Sequence, residues 1–216
     1  MKSRVFCLFS WVHNEEREMP EENRKPTRLT ARFEEALVYA TQLHAGQNRK
    51  RSYVPYISHL LAVTALVLED GGDEDQAIAA LLHDAVEDQG GLATLEEIRK
   101  RYGERVAAIV EGCTDAYSIP KPPWRQRKEN YIASLRQADQ AVRRVSLADK
   151  VHNARSTLRD LTREGDAVWA RFNGGKQGTL WYYHQLIDAF GKFGSTYLLD
   201  VFKRTVSDIE SPSNTE

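Results

Sequence analysis

The sequence predicts an all-α protein, a single domain of about eight to ten helices. Three observations lead there: apolar residues recur at spacings of three and four along most of the chain, no stretch alternates with a period of two, and capping residues punctuate the periodic segments. A length of 216 residues suits one domain with a core that needs no staples, and neither a repeat nor a linker divides it.

Phe33, Ala36, Leu37, Ala40 and Leu43 mark the first helix, which Gly46 is placed to end. "YISHLLAVTALVLED" is apolar on most sides, so it reads as a buried helix closed by Gly71–Gly72. Asp73 with Gln76 resembles a capping box opening a third helix, and Thr94 with Glu97 a second box before "LEEIRKRYG". "ERVAAIVEGCTDA" adds a short helix, and the prolines of "YSIPKPPW" dictate an irregular loop over 117–124. A charged helix follows from about Arg125 to Gln137, then a longer one through "QAVRRVSLADKVHNARSTLRDL". "FNGGKQG" breaks the chain before two last helices from about Leu180 to Ile209. Residues 1–28 read as a disordered leader, or as a start placed too early with Met19 as the true beginning, and 210–216 as a loose tail around the domain at 29–209.

Thirty Lys+Arg against 31 Asp+Glu leave a net charge of -1, so no global field favours nucleic acid or a membrane surface. An anionic ligand must find a local cluster. Two cysteines, Cys7 and Cys113, make no disulfide framework and suit a reducing, cytoplasmic setting. No apolar run approaches the ~20 residues of a membrane span.

The stretch "LLHDAVEDQG" is where chemistry concentrates. His83, Asp84, Glu87 and Asp88 follow an apolar run, and on one continuous helix His83 stacks under Glu87 and Asp84 under Asp88. Imidazole plus carboxylate is a ligand mix for a divalent transition ion such as manganese, although a solvated helix face shows the same pattern. His59 interrupts the most apolar helix, where a lone histidine is more often a satisfied core residue. Asp149 follows another apolar run, with Asn153 and Ser156 on the same stripe. A buried aspartate needs a cation, which a metal, Lys150 or an arginine can supply. His59, His83, Asp84 and Asp149 together form a plausible set of two imidazoles and two carboxylates.

"HAGQNRKRSYVPYISH", "ALLHDAVED" and "SLADKVHNAR" resemble the signature stretches of HD-domain hydrolases of the RelA/SpoT type, in particular the stand-alone small alarmone hydrolases. The resemblance spans residues 30–190. It implies an HD-domain helical bundle, one Mn²⁺ held by His59, His83, Asp84 and Asp149, and Glu87 and Asp88 as the acids that place and deprotonate the attacking water. It further implies that Arg49 and Lys50 pack on the base and reach its phosphates, that Asn153, Arg155 and Ser156 hold ribose and phosphate, and that Tyr182 borders the substrate. The implied reaction removes the 3′-pyrophosphate from guanosine penta- or tetraphosphate. Tyr53 and Leu60 depart from the family pattern in what is expected to be the nucleobase wall, which leaves the adenosine analogues open as substrates.

Lys121, Arg125, Arg127 and Lys128 in "IPKPPWRQRK", with Lys176 in "GGKQG", are candidate phosphate clamps, or else a solvated helix face. The partner expected is a nucleotide, with no nucleic acid or membrane, and a homo-oligomer is compatible. Two rivals stand beside this reading. One is an HD phosphatase of another phosphorylated nucleotide, such as a 2′-phosphorylated dinucleotide (NADPH), which would release inorganic phosphate. The other is a catalytically dead binding module, which would retain no metal.

Overall fold

The structure, a computed structural model, describes residues 26–50, 52–115 and 122–211. The readings of a leader over 1–25, of a loose tail from 212 onward, and of Cys7 and Lys121 fall outside the described residues.

Among the described residues the chain is helical, with one isolated bridge between Asn48 and Pro55 and no strand. The elements are α1 (Ala31–Leu43), α2 (Ile57–Glu69), α3 (Glu74–Leu82), α4 (Ala85–Asp88), α5 (Leu92–Tyr102), α6 (Glu104–Cys113), α7 (Trp124–Leu135), α8 (Gln140–Glu164), α9 (Gly175–Gly191) and α10 (Tyr197–Glu210). A 3-10 segment, Gly165–Arg171, joins α8 to α9.

Helix α8 is the spine, 25 residues long, packing on α2, α3, α6 and α10. Its register is set at Asp139, whose carboxylate accepts the Val142 N–H at 2.8 Å as an N-cap. Where α2, α3 and α8 meet, Leu60, Val63, Ile78, Leu81, Val145 and Val151 are wholly buried. Each contributes about 1.5–3 kcal/mol relative to an exposed side chain. This aliphatic layer supports the ionisable side chains that the same helices present at one edge.

The Asp73 cap forms as expected, accepting the Gln76 N–H at 3.0 Å. Four expectations are corrected. Thr94 caps nothing: α5 begins at Leu92 after Gly91, whose φ of 64° suits glycine, and the Thr94 hydroxyl donates to the Gln89 carbonyl at 2.9 Å instead. The helix carrying "HDAVED" is not continuous. It ends at Leu82 and resumes at Ala85, with Asp84 at φ -98°, ψ -4°. The His83 ring takes a share of the Ala80 carbonyl at 2.8 Å, the acceptor a continuous helix would offer to the Asp84 N–H. Helix α9 begins at Gly175 rather than near Leu180, because Gly174 and Gly178 lie against the Trp124 ring, which a Cβ at those positions would meet at 2.7 and 3.3 Å. Last, the family departures do not form a cavity wall: Leu60 is core, and Tyr53 is 99% exposed.

Candidate metal centre and active site

Four side chains from two helices and one turn converge. His59 comes from the first turn of α2, His83 and Asp84 from the break between α3 and α4, and Asp149 from the middle of α8. His59 Nε2 lies 3.2 Å from Asp149 Oδ1 and 3.4 Å from Asp84 Oδ2. His83 Nε2 lies 3.1 Å from Asp84 Oδ2 and 3.8 Å from Asp149 Oδ1. Ligand atoms of His59, His83 and Asp149 all fall within 4.8 Å of one another. Separations of about 3 Å are those of neighbouring ligands around an ion at ~2.1 Å.

The tautomers fit that role. His83 Nδ1 faces the Ala80 carbonyl, which only accepts, so Nδ1 carries the proton and Nε2 turns a lone pair toward the carboxylates. That buried Nε2 has no aligned hydrogen-bond partner despite its closeness to Asp84. A lone pair pressed against two carboxylates is tolerable only with a cation between them. Where that cation is a proton, burial alone would push His83 down, but Asp84 and Asp149 raise it well above the usual histidine range. His59 Nδ1 meets His152 Nδ1 at 2.6 Å. Burial, then His59 and Arg49, depress His152 to about 4, so it stays neutral and accepts the His59 proton, leaving His59 Nε2 free to ligate.

The carboxylates are held from behind. Tyr56 Oη donates to Asp84 Oδ2 at 2.6 Å. Lys150 Nζ and Asn153 Nδ2 each donate to Asp149 at 2.5 Å. Burial would raise both carboxyls, yet Lys150 and the imidazoles hold Asp149 well below the usual range, and His83 and His59 do the same for Asp84. The chemistry of this donor set fits a divalent metal ion.

A cavity of ≈ 900 Å³ opens over the cluster. Asp84, Glu87, Asp88 and Asp149 line its floor. Glu87 Oε2 faces the Asp115 N–H at 3.4 Å, and Asp88 Oδ2 accepts from Gln47 Nε2 at 2.8 Å. Of the sequence-proposed binding residues, Arg49, Lys50, Arg127, Lys128, Asn153, Ser156 and Tyr182 line the same cavity. Arg49 donates to Asn153 Oδ1 at 2.7 Å and its guanidinium lies 5.5 Å from the Tyr56 ring centre. Lys128 donates to Asp115 at 2.9 Å, and burial lowers its pKa from the ordinary lysine value.

Three proposed residues stand elsewhere, which corrects their placement. Arg125 lies 3.2 Å over the Trp181 ring and pairs with Glu129, because the helical turn after Trp124 points it outward. Arg155 is exposed and is not among the residues that line the cavity. Lys176 pairs with Asp166 at 3.2 Å outside the cavity. Sequence reasoning passed over Tyr56, Asp115 and the cavity-lining Arg159, Arg163 and Arg171. Tyr56 was detectable, since it sits three residues before His59 on the same helical edge. The three arginines carry no local signal.

Residues 36–180 match the HD domain family, more than half of the chain. The chain belongs to the HD-domain family. This HD-domain chain is 40% identical over 139 residues to "Guanosine-3′,5′-bis(diphosphate) 3′-pyrophosphohydrolase MESH1" of Xenopus tropicalis, 63% of this chain and 73% of that protein. The Homo sapiens protein of the same name is 34% identical over 143 residues, 65% of this chain and 75% of that protein. A Synechocystis protein named a probable guanosine-3′,5′-bis(diphosphate) 3′-pyrophosphohydrolase is 36% identical over 171 residues, and the chain spans only 21% of it. Among solved structures, a metazoan orthologue of SpoT described as hydrolysing ppGpp superposes with a TM-score of 0.69 at 26% identity, over 86% of this HD-domain chain and 98% of that one.

Proposed function

We infer that this protein is a metal-dependent hydrolase that removes the 3′-pyrophosphate from guanosine 3′,5′-bis(diphosphate)-type nucleotides, with His59, His83, Asp84 and Asp149 holding one Mn²⁺. The observation that carries the reading is the lone pair of His83 Nε2, buried against two carboxylates on the floor of a cavity that also presents two acids and several cations. The names of relatives 34–40% identical support the choice of substrate.

A divalent ion at this centre supplies Lewis-acid chemistry, lowering the pKa of water and withdrawing charge from a phosphoryl oxygen. Glu87 and Asp88 line the same cavity as Asp84 and Asp149, where a carboxylate can orient the attacking water and take its proton. Water attacks the phosphorus next to the ribose, the bond to the 3′-oxygen breaks with a proton delivered to that oxygen, and pyrophosphate is released beside the 3′-hydroxyl. Lys128 and Lys50 offer charge to the pyrophosphate oxygens. Arg49, braced by Asn153 and Tyr56, presents its guanidinium plane to the base, a stacking contact compatible with guanine or adenine.

The test is turnover of 3′-pyrophosphorylated guanosine and adenosine nucleotides, and of NADPH, with and without Mn²⁺, reading products. Pyrophosphate released from the guanosine substrate only with metal is expected. Inorganic phosphate as sole product would replace this reading with the phosphatase alternative, and a protein that binds no metal would be the dead module.

A further inference from the structure

We propose that His44 and Gln47 are positioning residues for this hydrolysis, fixing the Asp88 carboxylate through a hydrogen-bond chain that runs in one direction. The proposal rests on the reading of Asp88 as an acid of the reaction.

His44 caps the C-terminus of α1 and is 3% exposed. Its Nδ1 lies 2.7 Å from Gln47 Oε1. The same oxygen accepts from Gln89 Nε2 at 2.5 Å, while Gln47 Nε2 donates to Asp88 Oδ2 at 2.8 Å. Polarity follows from the carboxylate outward. An ionised carboxylate only accepts, so the Gln47 amide turns its nitrogen there and its oxygen to His44. His44 must then carry its proton on Nδ1. Gln89 Nε2 also comes within 3.5 Å of His44 Nδ1, the contact the other tautomer would use, but the Gln47 oxygen is much the nearer partner.

That arrangement leaves His44 Nε2 bare, and it is buried with no partner. An apolar ring of similar size could fill the space but could not donate to Gln47. The imidazole thus sets which way the Gln47 amide faces. The ring also stacks on Tyr56, centroids 5.1 Å apart at 15°, and Tyr56 donates to Asp84. One imidazole thus backs both the group that holds Asp84 and the group that holds Asp88. The backbone of the four-residue α4 fixes where these two carboxylates start, not where they point. Tyr56 and Gln47 each hold one of them by a hydrogen bond.

Two measurements test the proposal. In protein labelled with ¹⁵N-histidine, His44 should appear as the Nδ1–H tautomer, and Gln47→Met should change that signal. A Nε2–H tautomer would overturn the chain. In kinetics, His44→Phe and Gln47→Met should lower kcat by about 10–100-fold with KM and metal content held within about twofold. His44→Asn, whose side-chain N–H reaches the same Gln47 oxygen, should recover most of the loss. In an Asp88→Asn background His44→Phe should cost nothing further; an equal loss in both backgrounds, or a rise in KM alone, would overturn the proposal. Should His44→Phe fail to fold, the half-buried Gln47 carries the kinetic arm. A wild-type protein inert toward these nucleotides would refute the functional reading, and the tautomer would still decide the hydrogen-bond chain.

Discussion

Asp149 illustrates how much one side chain carries. It faces both imidazoles and is gripped by Lys150 and Asn153, so its removal strands a buried lysine and would leave a metal held there one carboxylate short. Breaking a buried ion pair from one side costs about 3–5 kcal/mol. Asp149→Ala is expected to lose metal and turnover together and to melt earlier, read by elemental analysis, product assay and thermal denaturation. Retained metal with full turnover would remove Asp149 from the ligand set. Glu87→Gln makes the contrasting case: the amide keeps the shape and cannot take a proton. Metal content should stay, while turnover falls by about 10²-fold or more. Near-normal turnover would take Glu87 out of the mechanism.

At the scale of elements, the start of α3 fixes where His83 and Asp84 arrive. Asp73 caps that helix and pairs with Arg105 at 2.6 Å. Burial alone would raise the Asp73 carboxyl, but Arg105, the Gln76 N–H and Arg144 hold it below the ordinary aspartate value. A depressed carboxyl stabilises the fold fully above the unfolded pKa, and that contribution is lost as pH falls through the folded value. Asp73→Ala should therefore cost about 1 kcal/mol near neutrality, the worth of an N-cap. The gap from wild type, followed by urea denaturation, should close in acid below the ordinary aspartate pKa. A gap independent of pH would mean that the charge plays no part.

For the whole molecule, a metal held by these residues would tie α2, the α3–α4 turn and α8 together, and these elements also share the aliphatic layer beneath. An ion that binds only the folded chain stabilises it by mass action, about 2.7 kcal/mol at a hundredfold excess over Kd. Chelation should lower Tm, and adding Mn²⁺ should restore it. Because a proton and a metal compete for His83 Nε2, and Asp84 and Asp149 raise that histidine's proton affinity, metal retention should weaken as pH falls. A Tm indifferent to both chelator and Mn²⁺ would separate the cluster from metal binding. Among the described residues no helix is long and apolar enough to cross a membrane.

The sequence by itself determined the helical class, the order of the main helices and the ionisable residues that meet, because apolar periodicity and capping are local properties that each segment carries within itself. His59 and His83 were legible as polar residues set in apolar runs, Asp149 as an acid following one. Only the tertiary structure decided the break at His83–Asp84, the early start of α9 against Trp124, the outward turn of Arg125 and Arg155, and the grip of Tyr56, His152 and Gln47 on the site. Each of those depends on a partner distant in sequence, or on which face of a helix the packing turns inward, and spacing along one chain segment holds no record of either.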